Sequence, residues 1–396
     1  MSRLRFSAAI STDPEAVVAE QRTVGTLLAS LDGPPDLLLF FCTHHYASAL
    51  DGLGARLQSA TGARAVAGCT GYSIAGGAKE VEGRPSMVLW GACLDGAQVR
   101  IEHLSAQAGE GGAIDFVGEP RIEQAHRAGV ILLADPFTFP AHLYLPELSD
   151  RLPDVPIVGG LASGGQGPRQ NLLWRGGECL DHGALAIVIE GDVLLETVVS
   201  QGCRPVGEPL VVTGCSGSMI GSLRGKRADK ALFEVLGELP ERDKELFRRG
   251  AHIGLAIDAT RSQFGAEDLL VRNLRGIDPE RGAVIIGDDS LRVGMTVQFM
   301  VRDAASASDE LGRLLQQRAE TWPPPQGEAG ALLFTCGGRG AQLFRTMNHD
   351  AGAIQEHLGP ELPLAGFFCA GEIGPVAGKT FLHGFTASIG LLRART

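Results

Sequence analysis

The sequence predicts an α/β protein of mixed β-sheets flanked by helices, a pseudo-symmetric two-domain body built from repeated strand-helix-strand units. The first observation is a set of short, continuous apolar runs, such as DLLLFFC, that are typical of strands buried on both faces. The second is that one order of elements recurs three times along the chain. The third is the high number of glycines, 54, most of which follow apolar runs, where a backbone turns sharply or packs closely.

The bulk composition is that of a soluble globular protein. Of the 396 residues, 44% are hydrophobic and 20% are charged, and the net charge is −11. An acidic chain argues against nucleic acid or an anionic membrane surface as a partner. No apolar run reaches the roughly 18 residues that span a bilayer, and no cleavable signal is expected at the N-terminus. Eight cysteines, mostly in apolar runs, indicate reduced thiols and a cytoplasmic location.

The first helix is expected to begin at Asp13-Pro14, since aspartate caps helices and proline fits the first helical position. Three copies of one plan follow: a buried strand, a helix, a second strand that ends in glycine, and a strand after a turn. The predicted strands are Leu37–Cys42, Ala63–Gly71 and Pro85–Leu94 in the first copy, Gly129–Asp135, Val155–Gly165 and Gly183–Gly191 in the second, and Ala331–Cys336, Leu362–Gly374 and Phe385–Leu392 in the third. Cys42 and Cys336 are predicted to be equivalent, as are Gly68 and Gly366.

The segment between the second and third copies has a different pattern. Val193–Thr213 alternates like two strands around a Gly-Cys-Arg-Pro turn. A later hairpin is predicted to turn at Gly287-Asp288-Asp289, and a stiff connector at Trp322–Pro325 leads into the third copy. Helices are predicted at Ala228–Leu239, Glu241–Arg249 and Ser308–Arg318, the first two being separated by Pro240.

The strongest catalytic and metal-binding motifs are absent. The sequence has no G-x-x-x-x-G-K-[ST], no H-E-x-x-H and no C-x-x-C. The most metal-like cluster is Cys42-Thr43-His44-His45, since sulfur and imidazole suit zinc, copper or haem iron. In an extended chain His45 would point away from Cys42 and His44, so the cluster is not expected to form a complete site. We therefore predict no metal and no cofactor.

The stretch ALLFTCGGRG makes Cys336 a candidate nucleophile. Gly337 and Gly338 would expose backbone N–H groups, and Arg339 is close in sequence; each favours a thiolate. A nucleophile also needs a base, for which Glu372 and His383 are the candidates. The alternative is a small buried cysteine at the end of a strand. The sequence leaves both open.

Glu372 is a lone carboxylate in the apolar, glycine-bounded segment LPLAGFFCAGEIG. If it is buried, it must be paired or hydrogen-bonded. Arg339 and Arg204 are the expected partners, and Cys203-Arg204-Pro205 is expected at a turn between strands. Glu372 is then either a structural carboxylate that accepts backbone N–H bonds or a ligand-binding group.

Motifs along most of the chain resemble the FIST family, in the order in which that family carries them. The matching segments are GCTGYSIAGGAKEVEGRPSM, VGGLASGG, SQGCRPVG, VRNLRGID, LLFTCGGRG and LAGFFCAGEIGP with LHGFT. The resemblance implies an N-terminal helix in residues 1–29, a FIST N domain in 30–226 and a FIST C domain in 227–396. It also implies a bacterial sensory protein of signal transduction that binds small ligands, amino acids or related metabolites. Because these regions take up almost the whole chain, the output would belong to a separate signalling protein.

The resemblance marks residues that we expect to line a ligand pocket: Gly160, Cys203, Arg204, Cys336, Arg339, Gly371 and Glu372. Arg204 or Arg339 would hold a ligand carboxylate through a forked pair of hydrogen bonds. Glu372 would accept from an amine or hold the arginine in place. No catalytic residue carries over from the family. Two alternatives stay open: a haem-binding nitric oxide sensor whose axial ligand would be His44, His45, His383 or a cysteine, and a thiol-dependent enzyme that uses Cys336. The sequence does not define an oligomeric state.

Overall fold

The computed structural model describes residues 4–257, 264–265, 268–322 and 327–395. The chain forms two compact units. The first contains Met1–Val199, Leu311–Leu382 and Thr386–Thr396, and the second contains Ser200–Glu310 and His383–Phe385. These units are defined by contacts in the structure. The domain boundary between residues 226 and 227 was instead expected from the order of the family's motifs, and it stays a prediction. No helix in the described ranges is long and apolar enough to cross a membrane.

The elements before the second unit, in chain order, are β1 (Leu4–Ser11), α1 (Ala16–Ala29), β2 (Leu37–Thr43), α2 (Leu53–Thr61), β3 (Ala65–Gly71), β4 (Ile74–Gly76), β5 (Lys79–Val81), β6 (Met87–Leu94), β7 (Ala97–Ala108), β8 (Ile114–Val117), β9 (Ala128–Ala134), α3 (Ala141–Arg151), β10 (Ile157–Leu161), β11 (Leu173–Arg175), β12 (Glu178–Leu180), β13 (Ala184–Gly191) and β14 (Val193–Gln201). The following elements are β15 (Cys203–Ser216), β16 (Met219–Leu223), β17 (Lys226–Arg227), α4 (Ala228–Glu238), α5 (Glu241–Arg249), β18 (Ala251–Ala256), β19 (Leu269–Asp278), β20 (Ala283–Ile286), β21 (Thr296–Arg302) and α6 (Ala304–Ala319). The last elements are β22 (Ala329–Cys336), α7 (Ala341–Phe344), α8 (His349–Leu358), β23 (Leu364–Cys369), β24 (Glu372–Val376), β25 (Lys379–His383) and β26 (Thr386–Ala394).

The predicted mixed α/β class and the threefold repeat are both confirmed. In each copy a helix connects two parallel strands, β2 and β3, β9 and β10, or β22 and β23. A third strand, β6, β13 or β26, then pairs antiparallel with the first strand of the pair. Short apolar runs such as LLLFFCT become central strands because both faces of these sheets are covered.

The hairpin that follows each parallel pair joins the sheet of another copy. The β4–β5 hairpin of the first copy extends β23 of the third, β11–β12 of the second extends β3 of the first, and β24–β25 of the third extends β10 of the second. The exchange is therefore cyclic, and each of the three sheets contains strands from two copies. The sequence pattern did not predict it.

A glycine in each parallel pair marks the equivalent positions of the copies. Gly68, Gly159 and Gly366 each lie opposite a residue of the neighbouring strand whose carbonyl oxygen occupies the place of a side chain. A Cβ atom would lie 2.3 Å, 1.9 Å and 1.8 Å from that oxygen, respectively. Only glycine allows strands to approach this closely.

This register corrects the predicted equivalence of two cysteines. Phe40 lies opposite Gly68 and Leu333 opposite Gly366, so Thr43 corresponds to Cys336. Cys42 is one residue earlier and packs in the core, completely buried. Aligning the two cysteines with each other shifted the first copy by one residue relative to the third.

The core of the first unit lies where its sheets meet. Phe41 of the first copy and Phe334 and Phe367 of the third form a ring cluster, with the centroids of Phe41 and Phe367 4.9 Å apart. Ile131 and Leu133 of the second copy belong to the same buried cluster. The copies thus share one core, which aromatic packing and apolar burial stabilise.

Several local predictions need correction in the first unit. The N-terminal segment forms β1, which pairs with β6, and the first helix begins at Ala16 rather than Asp13. The carboxylate of Asp13 accepts the Glu15 N–H group at 3.1 Å before the helix. The chain leaves the extended conformation after Thr43, because a 3₁₀ turn begins at His44. Of the predicted connector, only Trp322 lies within the described residues.

The second unit is a sheet in the order β15-β21-β18-β19-β20-β16-β17, with α4 and α5 separated at Pro240 as predicted. The predicted turn at Gly287-Asp288-Asp289 is wrong: β20 pairs with β19 and β16, while β21 pairs with β15 and β18. The reason is that Asp288 pairs with Arg272 of β19 instead of closing a hairpin. Cys203 and Arg204 lie inside β15 rather than at a turn, since the break falls at Gly202.

Replacing Gly366 by alanine should strongly destabilise the first unit, by at least about 3 kcal/mol, since the added Cβ meets a backbone oxygen that cannot move aside. The measurement is urea unfolding followed by tryptophan fluorescence, because all three tryptophans belong to the first unit. Gly352→Ala is the matched control: nothing lies within 4 Å of its Cβ position, so helix propensity alone should raise stability by about 0.5–1 kcal/mol. Equal unfolding midpoints for the two variants would contradict the close approach.

Candidate functional site

The carboxyl ends of the three parallel pairs meet in the first unit. Open α/β sheets bind ligands at this edge. Ser163, just beyond β10, links all three copies: its N–H group donates to the Thr70 carbonyl at 3.1 Å, its hydroxyl donates to the Phe368 carbonyl, and the same hydroxyl accepts the Tyr72 N–H bond at 2.8 Å. The strand ends are therefore held together by hydrogen bonds as well as by the shared core.

Four of the predicted site residues come together here. Gly160 faces Glu372 across the β10–β24 pairing, and the N–H group of Leu161 donates to the Gly371 carbonyl at 2.8 Å. A Cβ atom on Gly160 would lie 2.3 Å from Cys369 Sγ, and Cys336 is the register partner of Cys369. The ligand-binding roles of Gly160, Cys336, Gly371 and Glu372 stay predictions.

Glu372 is completely buried. Its Oε2 atom accepts two hydrogen bonds from Thr386, at 3.1 Å from the backbone N–H group and 2.9 Å from the hydroxyl. Burial, followed by the charge of Glu372, raises the pKa of Cys369 well above its usual value. The Cys369 thiol therefore remains protonated, whereas Cys336, half-buried at the strand end, is the accessible sulfur of the pair.

Arg339 points into the protein. Its side chain is 0% exposed, and its Nε and Nη2 atoms donate to both carboxylate oxygens of Asp350 at 2.7 Å and 2.8 Å. The guanidinium also lies 5.1 Å from the ring centroid of Phe344. Arg339 thus makes the expected forked pair of hydrogen bonds with Asp350 of its own chain and not with a ligand carboxylate.

Cys203 and Arg204 belong to the second unit. Arg204 donates to Asp303 at 2.9 Å and pairs through both terminal nitrogens with Asp243. Arg242 donates to Asp303 as well, so the guanidinium of Arg204 is part of an ion-pair network on β15, α5 and the end of β21. Cys203 is buried in the apolar cluster beside it.

The three histidines that are candidate haem ligands belong to different units. His44 and His45 lie in the first unit, and His383 lies buried in the second. Burial lowers the pKa of His44, which keeps its ring neutral, the form that binds iron. However, the ring packs so closely against Gly164 that a Cβ atom there would lie 2.4 Å from its Cδ2 atom. Within the described ranges no group of three or more His, Cys, Asp or Glu side chains could hold a metal ion. The haem alternative stays a prediction.

A cavity of about 570 Å³ opens beside the carboxyl ends of β9 and β10, and the sequence did not predict it. Its apolar wall includes Ile114, Phe137, Phe139, Leu161 and Leu382. Its polar side chains are Gln107, Thr138 and His142, and none of the described lining residues is Asp, Glu, Lys or Arg. The volume is within the range of small-molecule pockets.

The buried carboxylate of Asp135 organises one wall of this cavity. Its Oδ2 atom accepts hydrogen bonds from the N–H groups of Phe137 and Thr138 and from the Thr138 hydroxyl, at 3.2, 2.9 and 2.6 Å. Asn171 donates to its Oδ1 atom at 3.0 Å. The Thr138 hydroxyl also accepts the Gly183 N–H bond at 3.0 Å. The loop after β9 is therefore held rigidly by one side chain.

A sequence signal for this cavity existed. The stretch PFTFP, Pro136–Pro140, places two phenylalanines between two prolines directly after a buried strand that ends in Asp135. Proline interrupts helix interiors and central strands, so this segment is expected to be a loop. Its two aromatic rings would then pack against neighbouring elements or line a cavity. The cavity also adjoins the predicted site, because Leu161 follows Gly160 and pairs with Gly371.

Comparison with known proteins identifies the family of the chain. The family model for the FIST N domain matches residues 36–226, and that for the FIST C domain matches residues 230–375. FIST domains are sensory domains of signal transduction. The chain belongs to the FIST family, as its motifs predicted.

Two mycobacterial relatives match the chain over nearly its full length. The uncharacterized protein Rv0628c of Mycobacterium tuberculosis (strain H37Rv) is 38% identical over 392 residues, which is 98% of this chain and 99% of the relative. The uncharacterized protein Mb0898c of Mycobacterium bovis is 38% identical over 398 residues, 98% of each chain. Their similarity supports the family and does not identify a ligand.

Asp135→Asn should lower the stability of the first unit by about 1–3 kcal/mol, because one carboxylate oxygen becomes an amide nitrogen that faces hydrogen-bond donors in a buried site. Urea unfolding followed by tryptophan fluorescence is again the measurement. The control is Asp150→Asn, whose carboxylate is 67% exposed in a surface ion pair and should change stability by less than about 1 kcal/mol. A loss for Asp135→Asn no larger than for the control would show that the loop does not depend on this carboxylate.

Proposed function

We propose that the protein is a cytoplasmic sensor that binds a small, uncharged and largely apolar metabolite in the cavity beside β9 and β10 and acts on a separate signalling protein. The observation that supports it is the cavity itself, at the sheet edge where α/β proteins place their ligands. A rigid wall and a mostly apolar lining with few polar groups are the usual features of a binding pocket.

The lining selects among ligand classes. A free amino acid carries a carboxylate and an ammonium group, and their burial requires charged or multiply hydrogen-bonding partners. The cavity offers a hydroxyl, an amide and an imidazole, from Thr138, Gln107 and His142, together with backbone groups. These groups suit an aromatic or aliphatic body with one or two neutral polar atoms, such as an amino-acid derivative whose charges are masked.

The surface around the cavity supports a role for ligand binding in signalling. Ile114, Phe137 and Leu143 are 40–45% exposed, although each is a large apolar side chain. A ligand that covers Ile114 and Phe137 removes apolar surface from water and so changes the surface that the protein presents beside the loop after β9. A partner that contacts this surface would then distinguish the bound from the empty protein.

The test uses N-phenyl-1-naphthylamine, an uncharged aromatic fluorophore, as the probe. We expect one equivalent to bind the wild type, and Phe137→Ala to weaken binding about tenfold, since the variant loses an aromatic wall worth about 1.4 kcal/mol. Phe233→Ala removes a similarly exposed phenylalanine, 58% exposed on α4 of the second unit, and should leave affinity unchanged. If both variants bind like the wild type, the cavity is not the site.

Native mass spectrometry of the purified protein, with an absorption spectrum of the same sample, separates the remaining alternatives. A bound neutral metabolite that is absent from the Phe137→Ala sample would support the proposal. A haem mass with a Soret band that disappears with His44→Ala or His383→Ala would replace it by the gas-sensor alternative. Rapid, stoichiometric alkylation of Cys336 at neutral pH, with loss of a measured turnover, would favour the thiol enzyme.

A further inference from the structure

The first unit contains a second buried polar centre, formed where the third copy receives a hairpin from the first. Arg339 and Asp350 are 0% and 1% exposed and form a two-pronged ion pair. The Thr335 hydroxyl also donates to Asp350 at 2.7 Å, and His349 Nδ1 lies 2.9 Å from its other oxygen. Against the effect of burial, the Arg339 guanidinium lowers the pKa of Asp350. Asp350 is therefore the ionised partner that neutralises Arg339.

Glu80 brings another carboxyl group into this centre. It lies on β5 of the exchanged hairpin and is 2% exposed. Its backbone N–H group donates to Asn348 Oδ1 at 2.7 Å, and its Oε1 atom accepts the Ala351 N–H bond at 2.8 Å at the start of α8. Its Oε2 atom is buried and has no hydrogen-bond partner in the part of the chain that the structure describes.

The charges of the centre do not balance if Glu80 is ionised. One guanidinium would then face two buried carboxylates, and the excess negative charge would carry a large desolvation penalty. A proton on Oε2 removes that charge and leaves the Ala351 hydrogen bond in place. Burial and the neighbouring charge of Asp350 raise the pKa of Glu80 to about 7, with Glu82 adding to the effect, while the Ala351 N–H group and Arg339 oppose it.

Other titratable groups lie on the elements around this centre. Glu82, on the same hairpin, is half-buried and accepts the Ala341 N–H bond at the start of α7 at 2.9 Å. His349 of α8 contacts Asp350, with its Nδ1 atom 2.9 Å from Oδ1. Lys79 precedes Glu80 on the hairpin, but its side chain is exposed.

We propose that Glu80 is a proton-binding site that locks the β4–β5 hairpin of the first copy onto α8 of the third. With the proton bound, the neutral carboxyl group lies against the helix without placing a second negative charge beside Asp350. When the proton leaves, two carboxylates repel each other in a buried site and the hairpin is held less tightly. The connection between the copies therefore responds to pH in the neutral range.

The direction of the effect follows from linkage. An unfolded glutamate titrates near 4.5, below the folded value of about 7. As pH rises between these values the unfolded chain releases its proton before the folded chain does, so stability is lost. The contribution of Glu80 is complete below about 4.5 and is lost as pH rises through about 7.

The experiment is hydrogen–deuterium exchange of the whole protein, followed by mass spectrometry of the peptides that cover β4–β5 and α8, at pH values from about 5.5 to about 8.5. After correction for the intrinsic exchange rate, wild-type protection of these peptides should fall at least about tenfold across this range, as a shift of one or more pKa units requires. Glu80→Gln imitates the protonated group and should keep its low-pH protection throughout. Glu82→Gln, on the same hairpin, should still lose protection as pH rises, with a midpoint at lower pH because the charge of Glu82 adds to the raised pKa of Glu80.

A wild-type measurement makes the test independent of how the variants fold. Infrared difference spectra of the wild type should show a protonated carboxylic acid at about pH 5.5 that disappears by about pH 8.5. Absence of that band, or protection of the hairpin that does not change with pH, would overturn the proposal. The same pH dependence in Glu80→Gln as in the wild type would also overturn it.

Discussion

The fold of the first unit depends on how each parallel strand pair closes its open edge. A central strand leaves a row of N–H and C=O groups on its free side, and these groups must be paired when they are buried. No copy pairs its own edge: β23 receives β4 through the partners Ala365–Gly76, Gly366–Ala75 and Phe367–Ile74, and β3 and β10 receive their hairpins in the same way. The three copies must therefore fold together, because each one completes another.

The exchange also explains why a buried carboxyl group can contact an element that is distant from it in sequence. Glu80 reaches the start of α8, 271 residues away, because its hairpin belongs to the sheet of the third copy. Glu372 reaches Gly160 of β10 on the hairpin of the third copy. Both side chains accept a backbone N–H bond, from Ala351 and from Thr386, respectively. The β4–β5 hairpin thus brings a carboxyl group of the first copy to a helix start of the third, whereas the Glu372 carboxylate bonds to Thr386 of its own copy.

The elements that the sequence predicted well are those set by local pattern. The repeat, its buried strands and the break between α4 and α5 at Pro240 follow from apolar periodicity and from the missing N–H group of proline. The hairpin exchange did not follow, since β4 and β11 are only three residues long and neither was predicted as a strand. The predicted equivalence of Cys42 with Cys336 was wrong because it rested on residue identity alone. The alignment of the two copies is set by Gly68 and Gly366, each of which lies against a carbonyl oxygen of the neighbouring strand.

The structure brings together four of the seven predicted site residues, whereas Cys203, Arg204 and Arg339 lie elsewhere, and the ligand-binding role of all seven stays a prediction. Gly160, Gly371, Glu372 and Cys336 do meet, because their motifs end neighbouring strands. The partners of the arginines could not be read from spacing, since Arg204 pairs with residues 39 and 99 positions away. The apolar cavity was missed because the sequence analysis drew nothing from the stretch PFTFP.

The arginine pairings constrain what the protein can bind. For Arg339 to hold a ligand carboxylate, it would have to release Asp350, which is 1% exposed. Breaking a buried ion pair by removing one partner costs about 3–5 kcal/mol, which cancels most of what a new forked pair to the ligand could contribute. A binding site made of neutral groups avoids this loss. The electrostatics of the interior and the uncharged lining of the cavity therefore favour the same class of ligand, one that requires no charge from the protein.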